Sequence, residues 1–491
     1  MGYFNNVITR LCKRSYIGLN IFAFIMAFVC YFSMYAFRKP FTASSFEGYE
    51  LWHVNYKIMC ITFQVIGYTI SKFIGIKFIS ELNPKYRGLY IIIFITVAEL
   101  ALILFGAIPP PYNSLLMLIN GLPLGMIWGL VFSYLEGRQT SEVLGSGMCI
   151  SFIISSGAVK SVGRAVMTRG ISQFWMPATV GAIFYVPMLI SVFCLESIPE
   201  PNEKDIAART ERVTMSHSER VDFCKIFAPG IILMTIFYMF LTAYRDFRDN
   251  FAPELWGAFG YEDTPSIFTT SEIIVAVVVV IPVGLFMLIK DNIWTFIAYY
   301  ILIIAGQVLV GICTIFCDTD KLKGLYFIII TGVGLYVGYV PFNSIIFDLF
   351  LATFRYKANS GFLMYICDSF GYLASVVILF VKNFASPHLS WLDFFIYISY
   401  AISVLGTVFI ALDLAYYLLK YKKWTTNDLT PEIDENYDTS SKKGIKNSDS
   451  EKIISEDLSS DSTSSSSSTT SHSKSKSSSI SSVSTSISST N

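Results

Sequence analysis

Apolar residues along this chain fall into long runs separated by short polar stretches, and the runs are too long for the helices of a soluble domain. Twelve of them reach spanning length: 16–37, 57–79, 89–108, 113–135, 143–166, 174–195, 226–245, 266–289, 293–316, 323–349, 358–381 and 390–418. A helix needs about 20 apolar residues to cross a hydrocarbon layer ~30 Å thick, so each run predicts one span. The first run is too long for the apolar core of a signal peptide and lacks a small-residue cleavage site, so it is expected to remain as a span. The expected fold class is an all-α integral membrane protein with twelve transmembrane helices.

A polar, charged stretch, Glu196 to Asp222, divides the runs into two sets of six. The expected organisation is a cytoplasmic N-terminus (1–15), a six-helix bundle (16–195), a cytoplasmic central loop (196–225), a second six-helix bundle (226–418) and a Ser-rich tail (419–491). Gly121 and Gly125 in the fourth run recur as Gly334 and Gly338 in the tenth. Ser146, Gly147 and Gly157 in the fifth recur as Ser360, Gly361 and Gly371 in the eleventh. The nearly constant offset suggests two parallel repeats, although small residues four apart also recur wherever membrane helices pack closely. The tail is Ser- and Thr-rich with almost no apolar content, too little to offset the entropy of ordering, so it is expected to be disordered.

Composition agrees with a membrane protein: 53% of residues are hydrophobic and only 15% charged, where a soluble domain carries about 25%. The net charge of zero gives no indication of a nucleic-acid partner. An even number of spans puts both termini on one side. Arg10, Lys13, Arg14, Lys77, Lys85, Arg87, the basic residues of the central loop, and Lys420, Lys422 and Lys423 all fall on that side, which is expected to be cytoplasmic. The nine cysteines lie mostly inside apolar runs and read as small buried hydrophobes, not as a disulfide or metal framework. Each of the four histidines lies outside the spans, and no metalloprotease, nucleophile-elbow or phosphate-loop string occurs. Neither an enzyme nor a cofactor or metal is expected; the expected partners are a small anionic solute and the lipid bilayer, with the chain working as a monomer.

Charges inside spans are costly and therefore informative. Tyr31, Tyr35 and Arg38 share one helix face at the end of the first run, followed by Lys39. Tyr238, Thr242 and Arg245 repeat that face in the seventh, the counterpart of the first, so the two arginines would face each other across a central cavity. Gln64, Tyr68 and Lys72 share a face of the second run, and the fifth holds Lys160 and Arg164 one turn apart. Each cation also has a plainer reading: Arg38 and Lys39 as interface anchors, Lys72 snorkelling to the surface, Arg245 pairing with Asp246 or Asp249, Lys160 and Arg164 ending their span. Asp368 and Glu99 are the acidic candidates for coupling to protons, with Asp348 and Glu136 near span ends.

These motifs resemble the major facilitator superfamily, and within it the organophosphate:phosphate antiporters. Their first-helix string Tyr-x-x-Arg-Lys-x-Phe is matched by Tyr35 to Phe41. Gly67 to Gly75 with Asn83-Pro84, Arg245 to Pro253 with Trp256, and Lys357 to Leu373 match further family strings in part. The resemblance implies a major facilitator fold, with Arg38 and Arg245 gripping a phosphate, Lys72 as a further cavity cation, and Lys39, Tyr35, Tyr68 and Lys160 in the substrate-binding set. The family's fifth-helix histidine has no match here, and the acidic residue of its second-to-third loop is displaced to Glu81. Three functional readings follow: an organophosphate carrier exchanging for phosphate, a proton-coupled carrier of another organic anion using Asp368 or Glu99, and a transporter-shaped receptor or scaffold. In the first of these a geometric tension remains, because a helix of about 1.5 Å per residue that begins at Tyr16 puts Arg38 near the far membrane surface, not in a midplane cavity.

Overall fold

A computed structural model describes residues 16–426 except 82, 136–140, 200–216, 263, 290, 357, 359 and 387. The expected N-terminal segment, most of the central loop, Glu136 and the Ser-rich tail beyond residue 426 lie outside the described residues. The first half contains α1 (Tyr16–Arg38), α2 (Tyr56–Glu81), α3 (Arg87–Ala107), α4 (Leu116–Phe132), α5 (Ser141–Met167) and α6 (Met176–Glu196). The second contains α7 (His217–Asn250), the short α8 (Ala252–Ala258), α9 (Ile267–Phe286), α10 (Asn292–Asp318), α11 (Gly324–Ser344), the short α12 (Ile346–Phe354), α13 (Ser360–Phe380), α14 (Trp391–Ala401) and α15 (Thr407–Thr426). A widened turn at Ile402–Gly406 joins α14 to α15 into a single span. The one departure from all-helical structure among the described residues is a two-stranded hairpin between α1 and α2, β1 (Glu50–Leu51) with β2 (Val54–Asn55).

Twelve segments among the described residues are long and apolar enough to cross a membrane, and the protein is an integral multi-pass membrane protein. The pattern in α9 shows the cause. Val275, Val279 and Val283 recur every fourth residue and are buried, while Ile274, Val277, Val278, Ile281 and Leu285 are exposed on the opposite side. In water those exposed residues would be a liability. In lipid they meet a solvent as apolar as themselves, and the helix satisfies its own backbone.

Boundaries differ from expectation where polar residues continue a helix. The seventh span begins at His217, well before the expected 226, and continues to Asn250, so Arg245 lies more than a turn inside it. The last span runs to Thr426, past the expected 418. The tenth carries Pro341 in its last turn and breaks at Ile345, after which α12 resumes.

The two halves meet along equivalent helices. α5 packs on α9, the fifth span on the eighth, and α2 packs on α13, the second on the eleventh. Replacing each span of the first pair by its counterpart in the other half, five by eleven and eight by two, gives the second, as two parallel repeats require. Where α5 meets α9 the backbones nearly touch: a Cβ at Gly157 would collide with the Phe268 carbonyl oxygen. The glycines of the fourth and tenth spans do not play matching roles. Gly121 packs on α2, whereas Gly334 packs on Gly306 of α10.

Candidate functional site: a cationic, tyrosine-lined cavity between the halves

The end of α1 is fixed by amides. Carbonyls at a helix C-terminus have no partner inside the helix, and at membrane depth they need one. Asn120 of α4 donates to the Phe37 carbonyl (3.0 Å) and to the Ala98 carbonyl of α3 (3.1 Å). Gln64 of α2 donates to the Arg38 carbonyl (3.0 Å) and to Asn120 Oδ1 (2.7 Å). This network holds Arg38 with its guanidinium 4.0 Å from the centre of the Tyr68 ring. Residues Pro40 to Ala43 form a buried turn directly beyond it, so protein covers the site on that side. The first helix ends at Arg38, as the length of the first run predicts, and buried chain lies directly beyond it.

A narrow cavity of about 20 Å³ lies between the halves. Tyr31, Tyr35, Tyr68 and Lys72 line it from the first half, with Trp128 and Phe152. Arg245, Tyr339, Asn343, Asp368 and Tyr372 line it from the second. The Tyr68 and Tyr372 rings pack 4.7 Å apart across the boundary. Both arginines approach the same ring: the Arg38 guanidinium lies 5.8 Å and that of Arg245 5.7 Å from the centre of Tyr372. Arg245 also contacts Asp246 Oδ1 (2.6 Å), donates to the Tyr372 hydroxyl (3.3 Å), and donates to the Tyr339 hydroxyl.

Lys72 forms an ion pair with Asp368 at 3.0 Å, and the Tyr238 hydroxyl donates to the other carboxylate oxygen at 2.7 Å. Arg38 differs from the other two cations. No carboxylate lies within ion-pair distance of it among the described residues, its Nε has no partner, and it is 3% exposed.

Three residues expected at the site stand elsewhere. Lys39 and Lys160 do not line the cavity; both reach Asp249 of α7, Lys39 at 2.6 Å, and Lys39 also donates to Asn250 (2.8 Å). Lys39 lies just beyond the first span, and burial draws its ammonium pKa down to about 8 against the opposing pull of Asp249. Glu99 lies against Gly181 of α6 and Phe37, inside the first half and away from the cavity, with Oε2 unpartnered. A helix-face argument identifies which cations are buried, but not which of them already have a carboxylate.

Further polar contacts reinforce the end of the bundle that carries Arg38 and Asn250. Lys57 of α2 pairs with Glu254 of α8 at 2.5 Å, Ser156 donates to Asp249, and Thr269 of α9 donates to Ser161 of α5 at 2.6 Å. Arg248 and Glu272 pair within the second half at 2.8 Å. From the sequence Asp249 enters only as a partner for Arg245, and Glu254, Lys57, Glu272 and the cavity tyrosines 339 and 372 are not singled out. Glu272 sits inside the expected eighth span, and the rule that charges in spans are informative points to it directly.

Two halves of six spans meeting through the second, fifth, eighth and eleventh around a central cavity make this a major facilitator fold. Two solved structures are similar over nearly their whole length. That of a D-xylose-proton symporter has a TM-score of 0.57 at 16% identity, covering 81% of this chain and 97% of its own. That of the nucleoside transporter NupG has a TM-score of 0.52 at 15% identity, covering 80% and 98%. The chain belongs to a family described as a family of unknown function (DUF5690), whose model matches residues 40–420. No curated protein matches the sequence.

Proposed function

We propose that the protein is a secondary transporter of a small organic anion, namely an organophosphate exchanged for phosphate by alternating access. The observation that carries this reading is the convergence of Arg38 and Arg245, one from each half, on the Tyr372 ring, with Arg38 lacking a carboxylate. Guanidinium forks suit the oxygens of phosphate. Closing the empty site would bury an unpaired cation, which is costly, and a bound anion removes that cost. A carrier built in this way moves when loaded and stalls when empty, which is exchange.

The remaining parts of the reading follow from it. The two halves, 16–195 and 226–418, rock about the cavity, both termini face the cytoplasm, and the chain works as a monomer. The test is labelled phosphate entry into proteoliposomes with and without internal phosphate, with sugar and glycerol phosphates as competitors. Exchange that requires internal phosphate and is blocked by an organophosphate supports the reading, and its absence in folded protein removes it. Asp368 at the cavity wall favours a second reading, a proton-linked carrier of another organic anion. That reading requires uptake driven by an imposed pH gradient.

A further inference from the structure

We infer that the cargo carries a planar aromatic ring beside its oxyanion group, an inference that rests on the anion-carrier reading above and narrows it to a class. The closed cavity, at about 20 Å³, has room for about one water, so no organic anion fits until the halves part. The surfaces that separate there are the ones the cargo meets.

At the cavity the halves touch ring to ring. Tyr68 of α2 lies 4.7 Å from Tyr372 of α13, and Phe152 of α5 lies 5.6 Å from Tyr339 of α11, edge to face at 83°. Opening the site breaks both ring pairs, whose geometry contributes beyond the area they bury. A flat π-system entering between the halves restores ring contacts on both sides, whereas a saturated group restores area alone. The Arg245 guanidinium lies 4.3 Å from the centre of the Tyr339 ring and 5.7 Å from that of Tyr372. An oxyanion held by Arg245 therefore carries its organic part in among these rings.

The polar groups of the second-half wall are engaged with one another. Asn343 donates to the Tyr339 carbonyl (2.9 Å) and to the Tyr238 hydroxyl (3.2 Å), the Tyr238 hydroxyl donates to Asp368 (2.7 Å), and Asp368 holds Lys72 (3.0 Å). The hydroxyls of Tyr339 and Tyr372 accept from Arg245. A sugar or glycerol chain would have to break such bonds to satisfy its own hydroxyls, and buried polar groups left without partners are costly. An aromatic ring requires none of them.

The test uses the detergent-purified full chain and measures dissociation constants for phenyl phosphate, cyclohexyl phosphate, glycerol 3-phosphate and inorganic phosphate by calorimetry at pH 8, where all are mainly doubly charged. Plain burial favours the cyclohexyl ester, the more apolar of two rings of similar size, and ring stacking favours the phenyl ester, so the sign of the difference separates the two effects. Phenyl phosphate is expected to bind about fivefold tighter or more than cyclohexyl phosphate, and tighter than glycerol 3-phosphate. Phe152→Leu and Tyr372→Leu should each erase the difference between the two ring esters, and the comparison in the unmodified chain decides the sign even if neither variant folds. Cyclohexyl phosphate or glycerol 3-phosphate binding as tightly as phenyl phosphate, or a phenyl preference that survives in both variants, overturns the aromatic inference and leaves the anion carrier standing. Failure of all four anions to bind folded protein removes the anion-carrier reading and this inference with it.

Discussion

Lys72 of α2 and Asp368 of α13 meet at 3.0 Å across the boundary between the halves, and both line the cavity. Removing one partner of a buried pair strands the other charge, at a cost of about 3–5 kcal/mol, whereas removing both strands neither. Lys72→Met and Asp368→Asn are therefore each expected to lower the thermal midpoint by several degrees. The double variant should be more stable than the worse single one. Additive losses in this cycle would show that the two groups do not interact energetically.

Arginine is expected to be irreplaceable at both positions beside Tyr372. Arg245 holds Asp246, Tyr339 and Tyr372 together through a planar fork that a single ammonium cannot reproduce. Arg38 stacks on Tyr68 at 4.0 Å, a contact that also uses the flat guanidinium. Arg38→Lys and Arg245→Lys should each reduce phosphate exchange about a hundredfold or more while the protein still reaches the membrane. Exchange at the unmodified rate in both would remove the clamp.

The twelve spans were legible because hydrocarbon thickness fixes a length that any long apolar run displays. The faces at Tyr31, Tyr35 and Arg38 and at Tyr68 and Lys72 were legible from helical period alone, and the structure puts each of these side chains at or beside the cavity. Pairing between neighbours was legible, as Arg245 with Asp246 shows, but pairing between distant helices was not. Lys39, Lys160 and Asp249 come from three helices far apart in sequence, and no local pattern encodes that they meet. The same limit applies to Asp413, buried in the last span and hydrogen-bonded by Tyr300 at 2.7 Å, which no helix-face argument had connected. The start of α7 at His217 escaped notice because its first turns carry Glu219, Arg220 and Asp222, and hydropathy registers only apolar length.

Asp249 holds two lysines of the opposite half, so it is expected to keep this end of the bundle closed. Asp249→Asn retains the shape but leaves Lys39 and Lys160 facing a neutral amide. Closure should then weaken, and a cysteine introduced at Phe41, buried in the turn after α1, should react at least tenfold faster with a membrane-impermeant thiol reagent. An unchanged reaction rate would mean that other contacts carry the closure.

Gly157 tests whether that end must close for transport. It lies where α5 passes closest to α9, against the Phe268 carbonyl, and a side chain there would push the helices apart. Backbone cannot yield as a flexible side chain does, so Gly157→Val should hold the halves apart at this end. None of the charged cavity groups is altered, and anion binding should persist with little change in affinity. Exchange requires the loaded site to open alternately to each side, and it should fall at least tenfold. The reactivity of the Phe41→Cys probe should rise in the same variant. Loss of exchange with tight packing retained would place the defect in binding, and normal exchange would show that α5 and α9 need not approach so closely in any state on the transport path.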